Sequence, residues 1–271
     1  MDRYVVIGNP VAHSLSPAIH ARFAALMHES IAYSTLAAPL DAFAATARAF
    51  FAQGGRGANV TLPFKVEAFA LAHHAGDAAR LAGAANFLMR DGDRIVADNT
   101  DGAGLVADLT RNLGLALEGK RIAMLGAGGA ARGVIAPLLQ LAPRVLVIAN
   151  RTRERAEALA SHFAALGPIE PSGFPLEAQE PFDVIINATS TSTHGEPLRL
   201  PQGIAGASTF VYDMAYGPAA RAFLEHARSH GARTSDGLGM LVEQAAESYR
   251  LWRGQRPPTR EVLDELRARA S

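Results

Sequence analysis

Residues 120–142 read KRIAMLGAGGAARGVIAPLLQLA, and this stretch predicts a strand, a glycine-rich turn and a helix. The apolar run at residues 122–125 is typical of a strand buried on both faces of a parallel sheet. The turn has the pattern G-x-G-x-x-A, in which Gly126 permits the tight turn and Gly128 lets the backbone approach a pyrophosphate. Ala131 is small enough for the helix to pack closely on the strand. The stretch therefore predicts a dinucleotide-binding unit.

The helix after this turn would supply the phosphate-binding groups, because a helix N-terminus presents unpaired N–H groups and a positive dipole end. Pro137 lies inside the helical pattern, so we expect it to kink or shorten the helix. The alternative is a tight strand–helix turn without a ligand, and the flanking elements favour the cofactor. This half of the chain is predicted to be a Rossmann-type doubly wound α/β domain.

The end of the next strand points to the kind of dinucleotide. Residues 145–149 predict a second parallel strand, and an NAD-binding unit carries an acidic residue where such a strand ends. Asn150 and Arg151 stand there instead, with Arg155 one helical turn later. Because arginine pairs bidentately with a phosphate, the sequence predicts NADP rather than NAD. The alternative is a salt-bridged start of a surface helix.

Composition limits the classes of function that remain. The chain has 271 residues, enough for one large or two medium domains, with zero formal net charge and no cysteine. The charge balance gives no reason to expect nucleic acid or an acidic membrane as a partner. There is no signal-peptide layout at the N-terminus and no apolar run of the ~18 residues that a membrane helix needs, so we expect a cytoplasmic protein. His226 and His230 share a helix face without a third ligand, and no metal site is predicted.

Two serines follow the first predicted strand, at residues 4–7. Ser16 is favoured as the N-cap of a helix that begins at Pro17. Capping does not explain Ser14, and the two hydroxyls together could bind a ligand that carries hydroxyls or a carboxylate. Capping of the helix by Ser16 is the preferred interpretation.

Lys65 is a candidate proton donor and acceptor. A strand at residues 57–61 and Pro63 place this lysine in the first turn of a helix, where it opposes the helix dipole. That position favours a lowered pKa, whereas a nearby aspartate would raise it, and the balance stays open. A solvated surface lysine is the alternative.

A β-hairpin is predicted around residues 91–93, with Asn86 before its first strand and Asp101 after its second. Asp101 is either a turn or cap residue or a carboxylate that faces a cleft. Further strands are predicted at residues 182–187 and 210–212, and Met214 and Tyr216 follow the latter. Strand ends line the cofactor crevice of open α/β sheets, although core packing explains a lone Met or Tyr equally well. Residues 167–181, with four prolines, are expected to be a connection.

Nine segments together resemble the shikimate dehydrogenase family of aromatic biosynthesis. Each is weak alone, but they follow the family's order, span nearly the whole chain and are jointly specific. They are SLSP from Ser14, NVTLPFK ending at Lys65, GAAN ending at Asn86, DNTDG containing Asp101, GAGGAARG from Gly126, NRTRERA from Asn150, NATS from Asn187, DMAYGP from Asp213 and GLGMLVEQAA from Gly237.

The resemblance implies reversible, NADPH-dependent reduction of 3-dehydroshikimate to shikimate by a protein of two α/β domains. Residues 1–101, completed by helices in 238–271, would form the substrate domain, and residues 102–237 the Rossmann-type NADP domain. Lys65 would be the catalytic acid and base, with Asp101 as its partner. The implied substrate-binding residues are Ser14, Ser16, Thr61, Lys65, Asn86, Asp101, Tyr216 and Gln244. The implied cofactor-binding residues are Asp77, Gly126, Ala127, Gly128, Gly129, Ala130, Asn150, Arg151, Thr152, Arg155, Thr189, Met214 and Gly237.

Three other functions are considered for a chain of this kind, and each would require a different set of residues at the candidate site. A quinate or dual-specificity dehydrogenase using NAD would carry an acid near Asn150 and often a bulkier hydroxyl residue at Ser16. A non-catalytic NADP-binding regulator would lose Lys65 or Asp101. A folate-linked dehydrogenase would not need the serine pair. Residues 191–194 resemble an insertion beside the NATS segment, and the oligomeric state is open, with a homodimer as one option.

Overall fold

The structure is a computed structural model that describes residues 1–176, 180–189 and 198–270. The chain forms two compact units, one of Met1–Gly104 together with the chain from Leu241 onward, and one of Leu105–Met240. Within the described residues each unit is built on a six-stranded sheet with helices around it. The predicted α/β class with two domains is therefore confirmed. None of the helices in the described part of the chain is both long and apolar enough to span a bilayer. The segment at residues 191–194 lies outside the described residues.

The first unit holds a mixed sheet with strand order β2-β1-β3-β5-β6-β4. Strands β1, β2 and β3 are mutually parallel, β5 is antiparallel to β3 and to β6, and β4 is parallel to β6. Its core includes Ile7, Phe43, Phe64 and Leu88. The elements are β1 (Asp2–Gly8), α1 (Ser16–Leu26), β2 (Ile31–Ala37), α2 (Phe43–Ala52), β3 (Gly55–Val60), α3 (Lys65–Leu71), β4 (His74–Ala75), α4 (Asp77–Ala82), β5 (Phe87–Asp91), β6 (Arg94–Asp98) and the start of α5 (Asp101–Ala107).

Strand directions in this sheet bring the candidate residues to one edge. Strand β6 runs parallel to β3, since both are antiparallel to β5. The carboxyl ends of β3 and β6 therefore lie at the same edge as the amino end of β5. Lys65 follows β3, Asp101 follows β6 and Asn86 precedes β5, so the topology alone places these three residues together.

The second unit is an all-parallel sheet with strand order β12-β11-β10-β7-β8-β9. Counted from β7, this is the doubly wound order 3-2-1-4-5-6, so the predicted Rossmann-type domain is confirmed. Its described elements are a π-helical turn (Asp108–Asn112), β7 (Arg121–Leu125), α6 (Gly129–Leu139), β8 (Val145–Ala149), α7 (Arg153–Phe163), a 3₁₀ turn (Ala164–Leu166), β9 (Ile169–Ser172), β10 (Val184–Asn187), β11 (Phe210–Asp213), α8 (Pro218–Ser229) and β12 (Arg233–Ser235). Helix α9 (Leu238–Arg253) begins here and continues into the first unit, which also holds α10 (Arg260–Ala270).

Two predictions about local structure were wrong. Ser16 does not cap α1, because it is the first helical residue and no side chain caps that helix at Leu15. The connection expected at residues 167–181 contains β9, an edge strand that pairs with β8. Pro137 is accommodated near the end of α6, which stops two residues later at Leu139. A proline there removes one hydrogen bond of the last turn and leaves the rest of the helix intact.

Candidate active site

A buried ion pair marks the candidate site of the first unit. The Nζ atom of Lys65 lies 2.6 Å from Oδ2 of Asp101. The side chains are only 14% and 7% exposed, respectively. A buried charge is tolerated only when it is paired and hydrogen-bonded, so each residue depends on the other. The alternative of a solvated surface lysine is wrong.

Asp101 is held by groups on both sides of its carboxylate. Asn86 donates its Nδ2 to Oδ1 of Asp101 at 2.8 Å, while Lys65 occupies the other oxygen. The backbone N–H of Asp101 donates to Oδ1 of Asn99 at 3.1 Å, which fixes the start of α5. With both oxygens engaged, the carboxylate has a single orientation.

The amide groups of Asn86 and Gln244 meet beside this ion pair. Nδ2 of Asn86 lies 3.2 Å from Oε1 of Gln244. The Gln244 amide is turned by its own Nε2, which donates to the carbonyl of Leu241 at 2.9 Å. Both residues are buried, at 3% and 8% exposure. The site therefore combines a cation, an anion and two neutral amides, a set suited to a small ligand rich in hydroxyl groups.

The hydrogen bond at the start of α1 involves the hydroxyl of Ser14 and not that of Ser16. The hydroxyl oxygen of Ser14 accepts the backbone N–H of Ser16 at 3.2 Å, so Ser14 is the local hydrogen-bond acceptor at the start of α1. Ser16 is 5% exposed and its hydroxyl faces Tyr33. Thr61 follows β3 and is half-buried. All three belong to the same unit as Lys65.

Sequence reasoning missed several buried polar residues that are linked by hydrogen bonds to the side chains of this site. Thr100 lies inside the DNTDG segment but was assigned no role, and Asn59 and Ser248 were not singled out. Two patterns could have found them. Asn59 lies two residues before Thr61, so the two share an alternation along the chain, and Ser248 lies four residues after Gln244 on one helix face.

In the second unit the glycine turn has the geometry expected of a phosphate cradle. Gly126 has φ of +110°, and a Cβ there would lie 3.1 Å from the backbone of Ala188. Gly128 is different, because it has φ of −92° and a Cβ there would meet nothing within 4 Å. Internal packing therefore requires glycine at the first position but does not explain it at the second. No side chain of the described residues caps the N-terminus of α6 at Gly128, so its N–H groups fit a pyrophosphate. Ala127 completes this turn, and Gly129 and Ala130 are the first two residues of α6.

The arginines after β8 are exposed. Asn150 donates its Nδ2 to the carbonyl of Thr152 at 2.8 Å, which shapes the turn before α7. Arg153 pairs with Glu157 in the same helix at 2.9 Å. Among the residues that the structure describes, Arg151 and Arg155 form no ion pair. A salt-bridged helix start therefore accounts for Arg153 but not for its two neighbours.

The remaining cofactor candidates lie at strand ends. The hydroxyl of Thr189 donates to Oδ1 of Asn187 at 2.7 Å, and Nδ2 of Asn187 donates to Oδ2 of Asp213 at 3.1 Å. This network ties the carboxyl ends of β10 and β11 together. Met214 and Tyr216 follow β11 and are half-buried, and Gly237 is buried, with Met214's backbone so close that a Cβ there would lie 2.3 Å away. Asp77 belongs to the first unit, where it begins α4 and pairs with Arg80.

Comparison with known proteins identifies the family. Residues 6–88 match a model of the shikimate dehydrogenase substrate binding domain. Residues 108–195 match the shikimate / quinate 5-dehydrogenase model, and residues 237–267 match the shikimate 5'-dehydrogenase C-terminal domain. A shikimate dehydrogenase (NADP(+)) from Dechloromonas aromatica is 54% identical over 99% of this chain and 98% of its own length. The chain belongs to the shikimate dehydrogenase family.

Solved structures agree with this assignment to the shikimate dehydrogenase family. An Ael1 enzyme from Pseudomonas putida is 44% identical, with a TM-score of 0.91 over 98% of both chains. A shikimate 5-dehydrogenase from Thermus thermophilus, crystallised with NADP(H) and shikimate, is 32% identical, with a TM-score of 0.87 over all of both chains.

Proposed function

We propose that this protein catalyses the NADP-dependent, reversible reduction of 3-dehydroshikimate to shikimate. The observation that carries the proposal is the buried pair of Lys65 and Asp101, 2.6 Å apart beside two amides. The family supports the substrate, while the glycine turn and the two exposed arginines after β8 support NADP. We assign the substrate to the unit that holds Lys65 and the cofactor to the unit that holds the glycine turn.

The proposed reaction needs a hydride on the carbonyl carbon and a proton on the carbonyl oxygen. NADPH, when bound, supplies the hydride. The Lys65 ammonium donates the proton to the oxygen and becomes a neutral amine, which takes a new proton from solvent. In the opposite direction the amine removes the hydroxyl proton. Asp101 keeps the lysine oriented through Oδ2 and has lone pairs left to accept a substrate hydroxyl.

The chemistry of the other side chains indicates which part of the substrate or cofactor each would bind. Asn86 and Gln244 would bind substrate hydroxyls, while Ser14, Ser16, Thr61 and Tyr216 would bind hydroxyls or the carboxylate. Arg151 and Arg155 would bind the 2′-phosphate together with Asn150 and Thr152. The glycine turn would hold the pyrophosphate, and Thr189, Met214 and Gly237 would hold the nicotinamide half. We place the protein in the cytoplasm, where NADPH is available to such a reductase.

Steady-state rates with shikimate and quinate, each with NADP and NAD, test the proposal. We expect efficient turnover only with shikimate and NADP, because no acid stands near Asn150 to bind an NAD ribose. Comparable turnover of quinate with NAD would instead identify a quinate or dual-specificity dehydrogenase. Absence of turnover with every pair would favour a non-catalytic NADP-binding protein.

Lys65→Ala tests the role of the lysine. We expect a loss of at least about 100-fold in kcat with KM for shikimate largely unchanged, as for removal of a general acid and base. Steady-state kinetics measure both constants. Lys120→Ala is the matched control, because Lys120 is the only other lysine and pairs with Asp183 at 3.1 Å in the second unit. Near-normal kcat in Lys65→Ala would reject the assignment.

A further inference from the structure

A line of buried side chains in the first unit connects Tyr33 to the amides of the candidate site. Asn59, Thr100 and Ser248 are 5%, 2% and 0% exposed, and Ser248 makes side-chain hydrogen bonds to both of the others. None of these residues belongs to the set assigned above to substrate, cofactor or proton transfer. Buried polar networks fix a single arrangement only when every donor finds an acceptor, so the direction of each bond matters.

The direction of the first bonds follows from Tyr33. Burial raises the pKa of the Tyr33 phenol well above its usual range, so the phenol keeps its proton. Its O–H donates to Oδ1 of Asn59 at 2.8 Å. The amide is thereby oriented, and Nδ2 of Asn59 donates to the hydroxyl oxygen of Ser248 at 2.8 Å.

Ser248 has then accepted a hydrogen and has its own hydrogen to donate. The hydroxyl oxygen of Thr100 lies 3.1 Å away, and either hydroxyl could be the donor. If Ser248 donates, the Thr100 hydrogen is available to Oε1 of Gln244 at 3.4 Å or to Oδ1 of Asn86 at 3.2 Å. In this direction every hydrogen of the line has an acceptor. The reverse direction would leave the Ser248 hydrogen without one of these acceptors.

We infer that Ser248 and Thr100 are positioning residues for the reaction proposed above, on which this inference rests. Ser248 sets the rotation of the Thr100 hydroxyl, and Thr100 then holds the amides of Asn86 and Gln244 in the orientation that receives the substrate. Ser248 can do so because it lies one helical turn after Gln244 on the same face of α9. Neither residue touches the reacting atoms.

The test compares Ser248→Ala and Thr100→Val, which remove only a hydroxyl, with Thr100→Ser, which keeps it. We expect each removal to raise KM for shikimate about tenfold while kcat changes less than about threefold, because ligand groups are misoriented and the acid is intact. KM for NADP should stay unchanged and Thr100→Ser should remain near wild type. Combining Ser248→Ala with Thr100→Val should raise KM for shikimate little more than either change alone, since the two hydroxyls act as a unit.

Thr209→Val is the matched control for stability. Thr209 is fully buried in the second unit, and its hydroxyl donates to the carbonyl of Phe182 at 2.8 Å. It should lower Tm without changing KM for shikimate. If Ser248→Ala lowers Tm as Thr209→Val does and leaves KM for shikimate unchanged, the inference is overturned.

A second measurement separates this inference from the proposed function. Exchange of the side-chain amide hydrogens of Asn86 and Gln244, followed by NMR with labelled Asn and Gln, requires no turnover. We expect exchange to be about tenfold faster in Ser248→Ala than in wild type, because the amides are no longer held. An inactive wild type would reject the proposed function, while unchanged amide exchange would reject the positioning role.

Discussion

Asn86 shows how one side chain can be required for both its donor and its acceptor. Its Oδ1 accepts the backbone N–H of Thr100 at 2.7 Å and lies 3.2 Å from the Thr100 hydroxyl, so the main chain and the side chain of Thr100 act on the same oxygen. Its Nδ2 must then face the Asp101 carboxylate at 2.8 Å. Among side chains of this size, only an amide offers an acceptor at one end and a donor at the other.

Asn86→Asp should therefore be more harmful than its small change in volume suggests. The new carboxylate keeps the bond from Thr100 but places a negative oxygen against Asp101, and the two like charges repel each other. We expect kcat/KM for shikimate to fall at least about 100-fold at neutral pH, because this repulsion displaces the carboxylate that orients Lys65. Rates measured down to about pH 5.5 should partly recover as the pair takes up a proton.

Asn86→Ala separates charge from the loss of the hydrogen bond. It removes the same donor without adding a charge, so it should lose less activity than Asn86→Asp and show no recovery at low pH. Equal activities and parallel pH profiles of the two variants would show that the charge at this position does not matter.

At the scale of elements, the turn between β7 and α6 contains two glycines that serve different purposes. Gly126→Ala should destabilise the protein by about 1–3 kcal/mol, because alanine is strained at a positive φ and would press on Ala188. Gly128→Ala should leave stability unchanged, since its φ is ordinary and its surroundings are open. It should instead raise the Kd of NADP at least about tenfold, because its methyl group occupies the space the pyrophosphate needs.

Urea unfolding and NADP titration of the two variants check this contrast. Each variant is the control of the other, since both replace glycine by alanine in the same turn. A Gly128→Ala protein that binds NADP normally would mean that no ligand approaches the backbone there.

The elements that sequence patterns predicted are those whose cause is local. The strand at residues 121–125, the helix after the glycine turn and the hairpin of β5 and β6 follow from apolar runs and turn residues. The strands that were missed, β4, β9 and β12, are short edge strands, and β9 carries Pro171, which an edge tolerates. Their existence depends on pairing with a neighbour that is remote in sequence.

The residues of the candidate site also fall into those with a local sequence signal and those brought together only by the fold. Lys65, Asn86 and Asp101 could be named because each stands at the end of an element where functional groups collect. Thr100, Asn59 and Ser248 come from three separate segments and meet only through the fold, so no local pattern reveals their contact. Ser16 is not the cap predicted for α1, because the helix begins one residue earlier than Pro17 implied and Ser16 is its first residue.

At the scale of the whole molecule, stability should depend on pH through a histidine that takes no part in the reaction. His20 is fully buried, and in the described part of the chain neither of its ring nitrogens has a hydrogen-bond partner. Its ring stacks on Tyr33 with centroids 4.1 Å apart. Burial lowers the pKa of His20 from 6.5 to about 3, so the folded protein keeps this ring neutral.

The unfolded chain binds a proton at this histidine below pH 6.5, whereas the folded chain does not until about pH 3. Stability is therefore lost as the pH falls through this window, by about 2–3 kcal/mol between pH 7 and pH 4.5 from His20 alone. His20→Phe should remove that loss and keep the stacking. It should also be at least as stable as wild type at pH 7, because two buried nitrogens without partners disappear.

Trp252 allows the pH dependence of stability to be measured by fluorescence in the first unit, which contains His20. It is the only tryptophan of the chain, and its ring centroid lies 5.5 Å from that of His20. Its fluorescence during urea unfolding at about pH 7 and about pH 4.5 should report a smaller pH difference in His20→Phe than in wild type. His13→Gln, at an exposed position, is the control and should keep the wild-type difference. If His20→Phe also kept it, the acid sensitivity would have to come from other groups, such as Glu247, whose pKa is lowered by its arginine partners against the opposing effect of burial.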